Sequence, residues 1–149
     1  MERMIYVLQF KGQAGPVEGA SGVLKATTSA PSCRVSTEIG AGGVRGDLQE
    51  LGGGTARFES EVTMTGDNAF KESGTIAFGE GGNRLRFSTV GQGYLGPSAD
   101  PKTSTGAVTW QIDAGEGQFE GATGLITSNF MVGENGEVID NHFGVIFLR

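Results

Sequence analysis

Glycine spacing is the feature that most restricts how this chain can fold. Glycine occupies 27 of the 149 positions, and most intervals between glycines are shorter than an average α-helix of about 11–12 residues. The glycines follow no three-residue period, and Val, Ile, Leu, Phe and Thr lie between them. Because glycine tolerates the positive φ angles of tight turns, this pattern predicts many short strands joined by glycine turns.

Alternating residue types locate the strands. Thr55–Thr65 places Phe58 and Val62 on one face and Glu59 and Glu61 on the other, as expected for a half-buried antiparallel strand. The other candidate strands are Ile5–Lys11, Gly22–Ala26, Arg34–Ile39, Val44–Leu51, Glu72–Phe78, Asn83–Val90, Ala107–Ile112, Gly124–Val132 and Glu137–Leu148.

These patterns predict one all-β domain covering residues 1–149. Eight or more antiparallel strands without a linker leave a sandwich or a closed barrel. Asn135-Gly136 predicts a hairpin turn between the last two strands, and Gly81-Gly82 predicts a second one.

The final strand is apolar on both faces, with Val138 and Ile146 on one and Ile139, Phe143, Val145 and Phe147 on the other. A barrel strand normally has a more polar outside, so we expect part of the outer wall to be covered by another copy. A homo-oligomer, dimer or trimer, is therefore predicted.

Composition excludes several classes of partner. A net charge of −6 argues against nucleic acid, whose recognition needs clustered Lys and Arg. No stretch approaches the roughly 20 apolar residues of a membrane-spanning helix, and Met1–Phe10 is interpreted as a first strand, so no membrane partner is expected. The lone Cys33 allows no intrachain disulfide, and a cytoplasmic location is predicted.

The run Gly115-Glu-Gly-Gln-Phe-Glu-Gly-Ala-Thr-Gly124, preceded by the strand Gly106–Ile112, resembles the allene oxide cyclase and dirigent barrel superfamily. Small bacterial proteins with allene-oxide-cyclase-like barrels are similar to it. The resemblance covers about the C-terminal half. It implies a closed antiparallel barrel of about eight strands with an apolar cavity, in which plant members guide cyclisation or radical coupling of hydrophobic substrates. The matching residues are structural and bring no catalytic residue with them.

Three residues are candidates for acid–base chemistry. His142 is the only histidine and shares a strand face with Asp140, so the pair has the composition of an oriented general base. An exposed or rim-bound polar pair is the alternative. Glu61 is the third candidate, because a carboxylate inside an apolar cavity has a raised pKa. If its face is external, Glu61 only adds solubility.

Three further residues are candidates for substrate binding. Asn129 is placed on an apolar face with Leu125 and Met131, where it either hydrogen-bonds a ligand or is a satisfied polar group of the core. Tyr94 lies in Gly91–Gly106, which is predicted as a long loop across the barrel mouth; it either caps a ligand or belongs to a solvated loop. Trp110 is an aromatic surface for a substrate, with core packing as the alternative.

No cofactor or metal is expected. Gly91-Gln-Gly-Tyr-Leu-Gly96 matches the dinucleotide fingerprint, but Pro97 and Pro101 follow where that fingerprint needs a helix. One histidine and one cysteine also make a zinc site improbable.

The function predicted from the sequence is a small barrel enzyme that binds a hydrophobic molecule and directs its isomerisation or cyclisation. A non-catalytic carrier with the same cavity is the first alternative. A structural oligomer whose barrel is filled with side chains is the second.

Overall fold

The computed structural model describes residues 1–149, and most of them lie in strands. The nine strands are β1 Glu2–Pro16, β2 Val23–Gly40, β3 Gly43–Met64, β4 Ala69–Phe78, β5 Asn83–Thr89, β6 Gly93–Pro97, β7 Thr103–Glu116, β8 Thr123–Gly133 and β9 Glu137–Leu148. One 3-10 turn, Gly117–Phe119, connects β7 to β8. The structure holds no helix of the length and hydropathy that crossing a membrane requires.

The strands form one antiparallel sheet that closes on itself. Neighbours around the ring follow the order β3, β2, β1, β9, β8, β7, β5, β4, and β4 pairs back with β3. The short strand β6 pairs with β4 and β7, the same two neighbours as β5. β5 and β6 are therefore two parts of one wall position, interrupted at residues 90–92. The predicted closed barrel of about eight strands is confirmed.

The interpretation of Gly91–Gly106 as a long loop across the barrel mouth was wrong. Its first half is β6, a wall strand, and only residues 98–102 form a turn before β7. The glycines there serve close packing: a Cβ on Gly93 would lie 2.3 Å from the ring of Phe70, and one on Gly106 would lie 2.2 Å from the carbonyl oxygen of Tyr94.

In two places, strands that the sequence predicts as separate form one continuous strand in the structure. β2 passes Pro31 with a register shift between Pro31 and Cys33, where the sequence suggested a break. β3 continues through residues 51–54. Beyond the register shift, Cys33–Gly40 and Gly43–Glu50 pair only with each other and project from the barrel as a two-stranded ribbon. We call this ribbon the arm.

Both predicted hairpin turns are present. β8 and β9 pair across Asn135-Gly136, and β4 and β5 pair across Gly81-Gly82. In the run at 115–124, Gly117 and Gly121 take positive φ angles of 62° and 73°. Between them Phe119 is buried against Phe78, with ring centroids 5.0 Å apart. The run therefore closes one end of the barrel.

The inside of the barrel is divided into two parts. Aromatic side chains fill the end near Phe119, where Trp110 packs on Phe87 with centroids 4.4 Å apart and on Phe58 at 5.5 Å. We call this the closed end. Towards the opposite end the lumen widens into a cavity, and Phe58 lies at the boundary between the two parts.

Gly74→Ala should destabilise the protein by roughly 1–3 kcal/mol, the usual cost of overpacking. A Cβ at Gly74 would lie 2.1 Å from the carbonyl oxygen of Glu59, whereas one at Gly46 in the arm meets nothing within 4 Å. Gly46→Ala is the matched control and should be neutral or slightly stabilising. Urea unfolding measures both, and equal effects would contradict the close strand packing described here.

Candidate functional site

The candidate site is a cavity of about 120 Å³ at the open end of the barrel. Ten of its thirteen lining residues are hydrophobic. They come from positions near the ends of several strands, including Ala14 in β1, Leu24 in β2, Leu95 in β6 and Val132 in β8. Strand alternation points these side chains inward, so the sheet itself builds an apolar container.

Three polar residues line the same cavity: Thr28, Glu72 and Asp140. Each points inward from a strand whose other inward side chains are apolar or small, as Glu72 does in β4 between Phe70 and Ile76. All three are buried. The cavity therefore combines apolar walls with two carboxyl groups, an arrangement that simple core packing does not require.

Glu72 is the strongest chemical feature of the cavity. The pKa of its carboxyl is raised from 4.5 to about 7, chiefly by burial; the hydrogen bond from Ser60 lowers this pKa, and the nearby charge of Asp140 raises it. Ser60 Oγ donates a hydrogen bond to Glu72 Oε2 at 2.5 Å. Near neutral pH, Glu72 thus exists in both its acid and its ionised form.

The backbone amide and carbonyl of Glu72 are hydrogen-bonded to a side chain, where strand residues usually bond to the backbone of the neighbouring strand. Thr89 Oγ1 accepts from the Glu72 amide at 2.7 Å and donates to the Glu72 carbonyl at 2.9 Å. These bonds occur beside the interruption between β5 and β6, where the ladder is incomplete. One hydroxyl therefore replaces two backbone hydrogen bonds next to the acid.

Asp140 receives two hydrogen bonds. Ser128 Oγ donates to its Oδ1 at 2.5 Å, and His142 Nε2 lies 2.8 Å from its Oδ2. When Asp140 is ionised its oxygen accepts, so Nε2 carries the proton and Nδ1 is left as an acceptor. That Nδ1 atom is buried without a partner. The hydrogen bonds from Ser128 and His142 together fix the orientation of the Asp140 carboxyl.

The predicted pairing of His142 with Asp140 is present, but the two residues occupy different places. Asp140 lines the cavity, whereas the imidazole lies deeper, 4.3 Å from the ring of Phe10 and 4.9 Å from that of Trp110 between centroids. His142 is fully buried among these rings. It is therefore placed as a positioning residue.

Trp110 is also below the cavity. Its ring belongs to the aromatic packing of the closed end, and its Nε1 is buried without a hydrogen-bond partner. Of the two readings made from the sequence, core packing describes its position.

Glu61, Asn129 and Tyr94 are not among the residues that line the cavity. Glu61 is exposed on the outer face of β3, where it is paired in register with Lys25. Asn129 is exposed on the outer face of β8. Tyr94 is 52% exposed on β6. The sequence could not show whether Asn129 lies on the inner or the outer face of β8, because both faces of this strand carry apolar side chains.

Glu72, Thr28, Ser60 and Ser128 were missed by the sequence analysis. A signal for Glu72 did exist: an acid two residues after Phe70 and four before Ile76 sits on the apolar face of its strand. Ser60 alternates with Phe58 and Val62 in the same way. The register that brings Ser60 opposite Gly74 and near Glu72 is a tertiary property.

Comparison with known proteins supports the fold alone. No protein-family model and no curated protein matches this chain. Among solved structures, the pterocarpan synthase dirigent protein matches with a TM-score of 0.58 and 13% identity, over 99% of this chain and 92% of that one. The chain has a dirigent-like barrel fold. This confirms the resemblance drawn from the glycine run, and the dirigent-like barrel supplies the frame on which the cavity residues are placed.

Glu72→Gln should change how stability depends on pH. The pKa of Glu72 is higher in the folded protein than in the unfolded chain, so the wild type loses stability as pH rises from 4.5 through about 7. The loss approaches about 3 kcal/mol above that range. Between pH 4 and pH 8, the free energy of unfolding of the Gln variant should therefore rise by that amount relative to that of the wild type, as measured by urea unfolding. The exposed Glu61→Gln is the control, and a parallel pH curve for Glu72→Gln would contradict the assignment.

Proposed function

We propose that this dirigent-like barrel binds a small apolar molecule in its cavity and directs an isomerisation or cyclisation by acid–base chemistry. The observation that carries the proposal is the pair of carboxyl groups, Glu72 and Asp140, in one apolar cavity. Carboxyl groups that differ in environment serve as acid and base in many enzymes.

The size of the cavity limits the ligand. Its volume of about 120 Å³ is close to that of an apolar protein cavity of about 150 Å³ that holds benzene. One six-membered ring fits inside. A larger substrate extends through the open end, so only its buried ring is in reach of the two carboxyl groups.

The proposed chemistry divides the work between the carboxyl groups. Asp140, held by Ser128 and His142, removes a proton from a carbon next to a carbonyl group. The electron pair moves onto the carbonyl oxygen, to which protonated Glu72 donates a hydrogen bond. The proton then returns to a different carbon, and the double bond has moved. The apolar wall selects one conformer, which lowers the barrier through orientation.

A carrier without catalysis is the second candidate. Ten hydrophobic lining residues favour retention of an apolar ligand whether or not a proton moves. A barrel filled throughout, the third hypothesis, does not describe the lumen, which is filled only towards the closed end.

Binding is tested with toluene as the probe, followed by NMR titration. Ala26→Leu adds three carbons inside the cavity and should weaken toluene binding about tenfold or more, equal to about 1.4 kcal/mol. Ala107→Leu makes the same change on the exposed outer face of β7 and should leave binding unchanged. Absence of toluene binding to the wild type, or equal weakening in both variants, would contradict a ligand site in this cavity.

Catalysis is tested with 3-cyclohexenone, a single ring whose isomerisation to 2-cyclohexenone moves one proton and is followed by the absorbance of the conjugated product. Asp140→Asn and Glu72→Gln should each lower kcat/KM about 100-fold or more, and Glu61→Gln should not. Wild-type kcat/KM should fall as pH rises through about 7, because Glu72 loses its proton. If the wild type binds toluene but does not accelerate this reaction, the carrier is the better description.

A further inference from the structure

The arm has one apolar and one polar face. Directly paired residues share a face, and the pairs Val35–Leu48 and Ile39–Val44 lie on the same side as Cys33. The opposite face carries Arg34, Ser36, Glu38, Arg45, Asp47 and Gln49. Ile39 and Val44 are 84% and 72% exposed, so the outer part of the apolar face is uncovered in a single copy. At the base of the arm, the Cys33 thiol donates to the carbonyl of Val7 at 3.3 Å and Leu48 is half-buried.

Such a ribbon needs a partner to be ordered. A two-stranded hairpin by itself is marginally stable in water, and packing of its apolar face supplies the missing stability. The cavity of its own barrel is not that partner. The arm leaves β2 and β3 at Pro31 and Thr55, whereas the cavity is lined by the opposite ends of these strands, at Leu24 and Val62.

The barrel has a second uncovered apolar surface on the outer faces of β1, β9 and β8. Ile5 pairs with Val145, which pairs with Leu125 on its other side, and Val7 pairs with Phe143 in the next row. We call these residues the wall patch. Ile5, Leu125 and Phe143 are exposed. The patch is contiguous over three strands.

The wall patch borders an open edge of the sheet. Residues 2–10 of β1 pair only with β9, because pairing with β2 begins at Lys11. On the inward side of this segment, Met4, Tyr6 and Leu8 are only half-buried although they contact the core. An unpaired strand edge is a template for pairing with another chain.

The surface area of the chain points to the same conclusion. The accessible surface of a folded monomeric protein is about 6.3 M^0.73 Å², where M is its mass in daltons, which gives about 7,200 Å² for this chain. The chain exposes 8949 Å². The excess, about 1,700 Å², is about twice the roughly 800 Å² that each partner buries in a standard interface, as expected if each chain covers two surfaces, the arm and the wall patch.

Charge disfavours a lipid surface as the partner. The arm carries two basic residues, Arg34 and Arg45, against Glu38, Asp47 and Glu50, and the whole chain has a net charge of −6. Anionic membranes attract clusters of basic residues. A second copy of this chain, by contrast, presents an apolar surface that also needs cover.

We infer that the arm of one copy docks with its apolar face on the wall patch of a second copy, beside the open edge of β1. One contact thereby covers both exposed apolar surfaces. This goes beyond the self-association expected from the sequence by naming the two surfaces that meet. It does not depend on the proposed function, because the cavity lies at the other end of the barrel.

Sedimentation velocity at about 100 µM protein tests the inference. Val35→Lys on the apolar face should raise the dissociation constant of the oligomer about 30-fold or more, as loss of a central contact does. Ser36→Lys adds the same charge to the polar face and should leave the oligomer unchanged. On the wall patch, Phe143→Lys should act like Val35→Lys, with Ile5→Lys as a second variant if the first does not fold. All monomeric variants should still bind toluene.

Mixing two variants identifies the surfaces that meet. Each of Val35→Lys and Phe143→Lys retains one intact surface, so the equimolar mixture should form a complex that neither variant forms alone. A monomeric wild type would overturn the inference, as would a full-size oligomer of Val35→Lys. A mixture that stays monomeric would also overturn it, and an oligomer of Phe143→Lys alone would replace it with an arm-to-arm contact. Arm-dependent binding of a monomer to vesicles of phosphatidylserine and phosphatidylcholine would replace it with a lipid partner.

Discussion

Closure of the ring through the pairing of β3 with β4 is the constraint on which the rest of the structure depends. It gives the sheet an inside, and strand alternation then sorts every second residue into a lumen with little access to water. Glu72 has a raised pKa because it lies in that lumen. A carboxyl on the outer face, such as that of Glu61, is instead exposed to water. The chemistry proposed for this chain therefore begins with a backbone pairing.

One end of the lumen is filled and the other contains a cavity, because the side chains at the two ends differ in size. Large aromatic rings fill the closed end and leave no room for a ligand, yet they enclose His142 and so fix the orientation of Asp140. Smaller residues such as Ala14 and Ala26 line the open end and leave the cavity.

The sequence was sufficient to predict the fold because glycine spacing, alternation and hairpin turns are local signals. It predicted Asp140 and its pairing with His142 for the same reason, since two residues on one strand share a face. It misplaced Asn129 because both faces of β8 are apolar, and it missed Glu72 because the strand was recognised without deciding which face is inside. It also left Pro31 and the glycines at 52–54 between separate strands. Pairing between β2 and β3 over most of their length overrides those local breaks.

The incomplete wall beside Glu72 has a consequence for local stability. On the side that faces β5, the backbone of Glu72 is hydrogen-bonded only to the Thr89 hydroxyl, whereas on the other side the strand stays in register with β3 at Val62. Because one side chain stands there in place of a ladder of backbone bonds, this segment should open at a lower free energy than the rest of the wall, and its amide hydrogens should exchange with solvent sooner.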